Sequence, residues 1–151
     1  MANFGGKLEE TFKSPADPAV VRAHFADLDA VAAATQEVEK TERIGEDTLR
    51  FTLLQQKQGP YSFQPVYTVR YLESGDSVVW TTLEGNLRSE GTVRFASAPG
   101  GGTEVQFRQE ITFDLPVPRL ALRLIQPIVD RMMQPGMRAY VREMLRTVPS
   151  A

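Results

Sequence analysis

The sequence predicts an α+β fold: a curved, seven-stranded antiparallel sheet around one long C-terminal helix, with two short helices after the first strand. Three observations predict it. Short runs of period-2 alternation fill residues 7–13 and much of 37–114. Two helix-forming stretches separate the first run from the rest. After residue 118 the apolar period changes to 3.6 and persists to residue 148. A sheet with one apolar face and a helix with one apolar stripe must each be covered, and each can cover the other.

The elements follow in order. Residues 7–13 place Leu8, Glu10 and Phe12 on one strand face. The break SPADP at 14–18 carries helix-start chemistry: Asp17 as a cap, and Pro18 at a first position whose N–H has no intrahelical partner. A short helix then presents Val20, Val21 and Phe25. The Ala-rich stretch 28–34 forms a second helix capped by Asp27 or Asp29 and ending near Thr35.

From residue 37 the pattern is strand. Residues 37–44 are polar and exposed, and 48–56 align Leu49, Phe51 and Leu53. Residues 61–72 align Tyr67, Val69 and Tyr71, with Pro65 marking a bulge or an edge. Residues 77–84 hold Trp80, the one tryptophan, and 87–96 align Gly91, Val93 and Phe95. Residues 103–114 alternate most regularly, with Val105, Phe107, Gln109, Ile111 and Phe113 on one face. Short turns between the later strands imply an antiparallel meander. The closing helix, residues 119–148, spans about 45 Å at 1.5 Å per residue if continuous. Pro127 and Pro135-Gly136 are expected to kink or break it.

Composition bounds the function. With 151 residues, 42% hydrophobic and 24% charged, the chain reads as a single globular domain, residues 1–151, able to bury a real core. A net charge of −2 argues against a wholly basic nucleic-acid binder. The absence of cysteine excludes a disulfide scaffold, a thiol nucleophile and thiolate metal sites, and a single histidine excludes a multi-histidine metal centre. Acidic pairs such as Glu9-Glu10 and Glu46-Asp47 are too local to define one, so neither metal nor cofactor is expected. No run reaches the roughly 18 apolar residues of a membrane span. The opening MANFGGKLEETFK has no signal-peptide pattern, so a cytoplasmic protein is expected. The glycine-rich APGGGTE is a hairpin turn, lacking the Lys-Ser/Thr ending of a phosphate loop.

Three stretches carry a family resemblance. The first strand leads into SPADPAVVRAHFADLDAVA; SEGTVRFASAPGGGTEVQFRQEITFDLP reads as a late hairpin with a Gly-rich turn; and a long helix closes the chain. Together they resemble the START-like, helix-grip superfamily (SRPBCC), which includes polyketide cyclase/dehydrase-type and lipid-transport-type proteins. The resemblance covers roughly residues 6–148. It implies a helix-grip fold, in which the bent sheet and the helix leave an internal cavity between them, a common form of small-molecule site. Fold does not set function, since the superfamily spans carriers, cyclases, hydrolases, oxygenase domains and co-chaperones.

Candidate residues follow. If the first and last strands pair, as the family topology implies, Glu10 and Gln109 point inward. They then either anchor a ligand's polar group, act as acid or base, or satisfy each other as a structural pair. Phe51, Tyr67, Tyr71, Trp80, Phe95, Phe107, Met133, Met137, Tyr140 and Met144 are candidates to line an apolar pocket, or to form ordinary core. Tyr67 and Tyr140, with Glu10 and Gln109, are the candidate polar contacts. His24 reads as a surface or helix-packing residue rather than a general base. Residues 119–148 carry a net charge of +4 against −6 elsewhere. Arg138, Arg142 and Arg146 form one helical stripe, suited to transient contact with an anionic membrane surface or simply to a solvated face. No aromatic interleaving accompanies them, so no nucleic acid is expected.

The leading expectation is therefore noncatalytic binding or transport of a hydrophobic small molecule (lipid, isoprenoid or polyketide-like). The alternative is a metal-free cyclase/dehydratase with Glu10 as acid/base, and the third reading is a ligand-free interaction module.

Overall fold

The computed structural model describes residues 2–149, apart from the side chain of Gln58. Nine strands and three helices follow one another: β1 (Ala2–Ser14), α1 (Pro18–Ala26), α2 (Leu28–Ala34), β2 (Val38–Arg43), β3 (Thr48–Leu53), β4 (Gln56–Gln58), β5 (Tyr61–Phe63), β6 (Val66–Ser74), β7 (Ser77–Gly85), β8 (Leu87–Ser97), β9 (Thr103–Leu115) and α3 (Leu122–Arg146), with a 3-10 turn at Arg119–Ala121 before α3. Seven strands form one antiparallel sheet in the order β1-β9-β8-β7-β6-β3-β2, and α3 packs across it as the helix-grip fold requires. β4 and β5 form a separate ribbon.

The alternation in the sequence maps onto the two faces of this sheet. β1 pairs with β9 in the register Phe4↔Phe113, Leu8↔Gln109 and Glu10↔Phe107. Inward residues therefore meet inward residues, because a pleat alternates faces with period 2. One row crosses five strands: Tyr71, Trp80, Gly91, Gln109 and Leu8 are successive partners on β6, β7, β8, β9 and β1.

Local chemistry sets the element ends. Pro18 opens α1, but the Asp17 side chain makes no capping bond. Asp27 caps α2, its carboxylate accepting from the Asp29 and Ala30 amides. The run 61–72 does not form one strand. Pro65, which has no N–H to donate, separates β5 from β6, and β4 turns into β5 through Gly59 at φ +60°. The first strand is longer than its alternation indicates, because Ala2–Gly6 also pair with β9. Near the far end of the meander, Leu83 is an extra, exposed residue where β7 bulges against β6.

The terminal helix is not broken at its prolines. α3 runs unbroken from Leu122 to Arg146 with Pro127 and Pro135 inside it. Both prolines are exposed, so the carbonyls they leave without an N–H partner lie toward water rather than in the core. Tertiary packing holds the helix through these sites. α3 lies along the outer edge of β1, where Gln126 and Gln134 donate to the Gly5 and Lys7 carbonyls at 3.3 and 3.0 Å. Gly6 permits this approach: a Cβ there would lie 2.7 Å from Met133 Sδ. These bonds also block an edge that would otherwise be open to pairing.

Packing under α3 is uneven. Its last turns sit in a solid core, where Val141 and Met144 are fully buried with Val21, Phe25 and Val31 of α1 and α2. Phe25 packs on Phe95 with ring centroids 5.3 Å apart. A second, smaller core joins Ala2, Phe4, Leu115, Val117, Ala121 and Ile125 at the start of α3. Among the described residues no helix is long and apolar enough to cross a membrane.

Candidate functional site

Residues of both cores border a cavity of about 590 Å³ beneath the N-terminal and middle parts of α3. Its floor is the inward face of the sheet: Phe51 of β3, Tyr67 and Tyr71 of β6, Trp80 of β7, Leu87 and Ser89 of β8, and Gln109, Ile111 and Phe113 of β9. Its roof is α3 from Ile125 to Tyr140, including Met133 and Met137. The α2–β2 turn (Thr35, Gln36, Glu37) and the β4–β5 ribbon close one side. Exposed lining residues Gln36, Glu37, Met132 and Pro135 mark the mouth.

The ribbon is held over the cavity from both ends. Phe63 stacks on Phe113 with centroids 5.1 Å apart, and Phe113 in turn stacks on Phe4 at 5.8 Å. On the other side, Gln56 donates to the Glu37 carboxylate at 2.9 Å. Glu37 itself has φ +56°, a conformation that bulky L-residues rarely adopt. Its backbone carbonyl accepts from the Leu54 amide at 2.7 Å, which ties the turn to the strand end.

Eight of the twelve residues singled out from the sequence line this cavity: Phe51, Tyr67, Tyr71, Trp80, Gln109, Met133, Met137 and Tyr140. Four lie outside its wall. Phe95 is filled against by Phe25 of α1. Met144 is fully buried in the same solid end. Phe107 is buried between Trp80, Phe12 and Tyr140, one layer behind the wall. Glu10 is on the inward face of β1, but β1 is the edge strand, and the carboxylate meets α3 at the rim. There it accepts from Arg138 Nε at 2.9 Å, with both side chains about one-third exposed (35% and 32%). Glu10 and Gln109 therefore do not pair with each other.

The polar end of the cavity centres on a residue the pattern could have revealed. Ser89 interrupts the inward series Leu87, Gly91, Val93 and Phe95 on β8, and it is buried. Its hydroxyl accepts from Gln109 Nε2 at 2.9 Å and from Trp80 Nε1 at 3.3 Å. Its backbone N–H and C=O both bond the buried Thr82 hydroxyl, at 2.8 and 2.9 Å. Ser89 thus orients both larger side chains.

Tyr67, Tyr71 and Tyr140 supply three phenols to the same wall. Burial pushes all three above the ordinary tyrosine value, and Tyr71 is raised further by the nearby Tyr140 and Tyr67. They are neutral donors, not phenolates, at any physiological pH. Among the described residues, none of the three hydroxyls bonds another protein group.

His24 and the arginine stripe lie away from this chemistry. His24 is buried at the solid end, its Nε2 2.8 Å from Thr147 Oγ1, which joins α1 to the end of α3. Desolvation holds its pKa below the ordinary 6.5, more than Asp27 and the Met144 backbone raise it. Of the stripe, Arg138 pairs with Glu10 and Arg146 with Glu143. Arg142 is exposed and makes no ion pair among the described residues.

This architecture recurs in solved structures. A protein of Thermus thermophilus superposes with a TM-score of 0.70 at 20% identity, covering 95% of this chain and 97% of that one. A START superfamily protein of Mycobacterium smegmatis gives 0.68 at 14% identity, covering 94% and 96%. An aromatase/cyclase from a Streptomyces species gives 0.66 at 15% identity, covering 95% and 93%. These likenesses establish the fold. No curated protein matches the chain in sequence. The sequence model of the family described as polyketide cyclase/dehydrase and lipid transport matches residues 6–147. Because that match runs through every strand of the sheet and the whole of α3, the chain belongs to the polyketide cyclase/dehydrase and lipid transport family of the SRPBCC superfamily.

Proposed function

We propose that the protein binds a hydrophobic small molecule, lipid, isoprenoid or polyketide-like, in this cavity and carries it without changing it. The observation that carries the reading is the cavity itself. At about 590 Å³, with mostly apolar walls, it falls in the range of small-molecule sites. Affinity then comes from desolvation, at roughly 25 cal/mol per Å² of apolar ligand surface removed from water. A few polar groups set orientation. Ligand exchange proceeds by movement of the β4–β5 ribbon against the middle of α3, where the mouth lies.

Catalysis by the same cavity has less support. The one charged side chain on the wall is Glu37, at the mouth, and Glu10 lies outside the wall in its ion pair with Arg138. A ligand-free interaction module would call for a filled interior.

Native mass spectrometry of protein purified from its own host tests the proposal. The wild type is expected to carry a hydrophobic adduct whose mass is unchanged after prolonged incubation. A Met137→Trp variant, which narrows the chamber, is expected to carry less of it. Conversion of the adduct to a new mass would favour an enzyme. Absence of any adduct, together with failure of the stripped protein to take up hydrophobic probes, would overturn the proposal.

A further inference from the structure

The polar groups of the cavity share a property that its volume does not reveal: none of those at the buried end is charged. Ser89 Oγ uses its acceptor capacity on two N–H donors, from Gln109 and Trp80, so its own O–H remains to be given. Gln109 spends its amide N–H on Ser89, and its Oε1 accepts no bond among the described residues. The Tyr67, Tyr71 and Tyr140 hydroxyls line the same space without protein partners, and burial keeps each protonated.

An anionic group entering here would find no arginine, lysine or histidine on the wall. Removing a carboxylate from water without a cation is costly. The carboxylate of Glu37 at the mouth adds repulsion. A cation would meet neutral hydroxyls and no counter-ion at depth. A wholly apolar ligand would strand four hydroxyls and an amide oxygen, because removing their hydrogen-bonding partner is penalised.

We infer that the ligand is uncharged and carries carbonyl or hydroxyl oxygen at its leading end, recognised by Tyr67, Tyr71, Tyr140, Ser89 and Gln109. Ionised lipids such as fatty-acid anions are selected against. The inference rests on the proposed ligand-binding role and assigns the chemical class that the site takes.

Three probes of nearly one size test it: 2-acetylphenanthrene, 2-ethylphenanthrene and phenanthrene-2-carboxylate. Binding is read by energy transfer from Trp80, the chain's one tryptophan, which forms part of the wall. The ketone is expected to bind at least tenfold more tightly than the ethyl compound, and the carboxylate more weakly than both. In a Tyr71→Phe/Tyr140→Phe variant the ketone should fall toward the ethyl compound, because the hydroxyls are lost while the rings that shape the wall remain. Equal binding of ketone and ethyl probe would overturn recognition of oxygen. Carboxylate binding as tight as ketone binding would overturn selection for neutrality. In either of those cases a binding cavity still stands. Failure of all three probes would instead strike the proposed function beneath it.

Discussion

The indole of Trp80 occupies the space of the missing side chain at Gly91: a Cβ there would lie 2.3 Å from Trp80 Cζ2. The two residues are direct partners across β7 and β8. The ring can lie across the strand only because position 91 is bare, and this lets Nε1 reach Ser89. The floor of the cavity thus depends on a glycine that is needed for space, not for backbone freedom.

Gly91→Ala should consequently disturb the floor. Overpacking of this kind typically costs about 1–3 kcal/mol. The added methyl would also press on the Arg108 carbonyl, at 2.5 Å, so the strain is not relieved by rotating the indole alone. Urea denaturation is expected to show the loss, and the Trp80 emission should shift as the ring is displaced.

Gly6 and Met133 form a second tight pair, between β1 and the roof. Gly6→Ala should destabilise the protein, and Met133→Ala in the same chain should recover part of that loss. A double-mutant cycle is expected to give a coupling of about 0.5–3 kcal/mol. Independent, additive effects would show that the helix does not rest on this glycine.

The Glu10–Arg138 pair is about one-third exposed on both sides, and exposed pairs contribute only about 0–1 kcal/mol. Glu10→Gln should therefore lower stability by less than about 1 kcal/mol. It should also leave affinity for a neutral hydrophobic probe within twofold. A loss of orders of magnitude in turnover of some substrate, with binding intact, would return Glu10 to an acid/base role.

His24 links stability to pH with a definite sign. Its folded pKa lies below the ordinary 6.5 because burial disfavours the charged ring. The unfolded chain takes up this proton first. The contribution is thus complete above pH 6.5 and is lost as the pH falls through 6.5 toward the lower folded value. In urea titrations across this window, His24→Gln should show a shallower decline than wild type. Identical slopes would mean that the ring titrates normally.

Pro135 removes a backbone donor inside α3. Proline in a helix interior costs about 3 kcal/mol relative to alanine. Since the side chain is exposed and lines the mouth, Pro135→Ala should raise thermal stability. If this stretch of helix yields during ligand exchange, stopped-flow release of a bound probe should also slow.

Much of this protein is legible in the residue pattern alone. Alternation identifies which side chains of β3, β6 and β9 face inward, so Phe51, Tyr67 and Gln109 could be singled out from the pattern. Ser89 was equally visible, as a lone polar residue on an apolar face. Periodicity reports direction and nothing about depth, because a side chain facing inward meets either another side chain or empty space. Phe95 and Met144 face inward and are filled by α1 and α2; Tyr71 and Tyr140 face inward and meet the cavity.

Glu10 makes the same point for charge. Its face follows from β1, but its partner is 128 residues away on α3, and only the docking of that helix on the sheet edge brings them together. Local sequence thus determined most of the elements and the facing of their side chains, but not the β4–β5 ribbon or the continuity of α3 through its prolines. Tertiary packing decided that the last turns of α3, from Val141, lie on solid core while the stretch from Ile125 to Tyr140 spans a void, because that depends on the volumes that distant segments bring to one place.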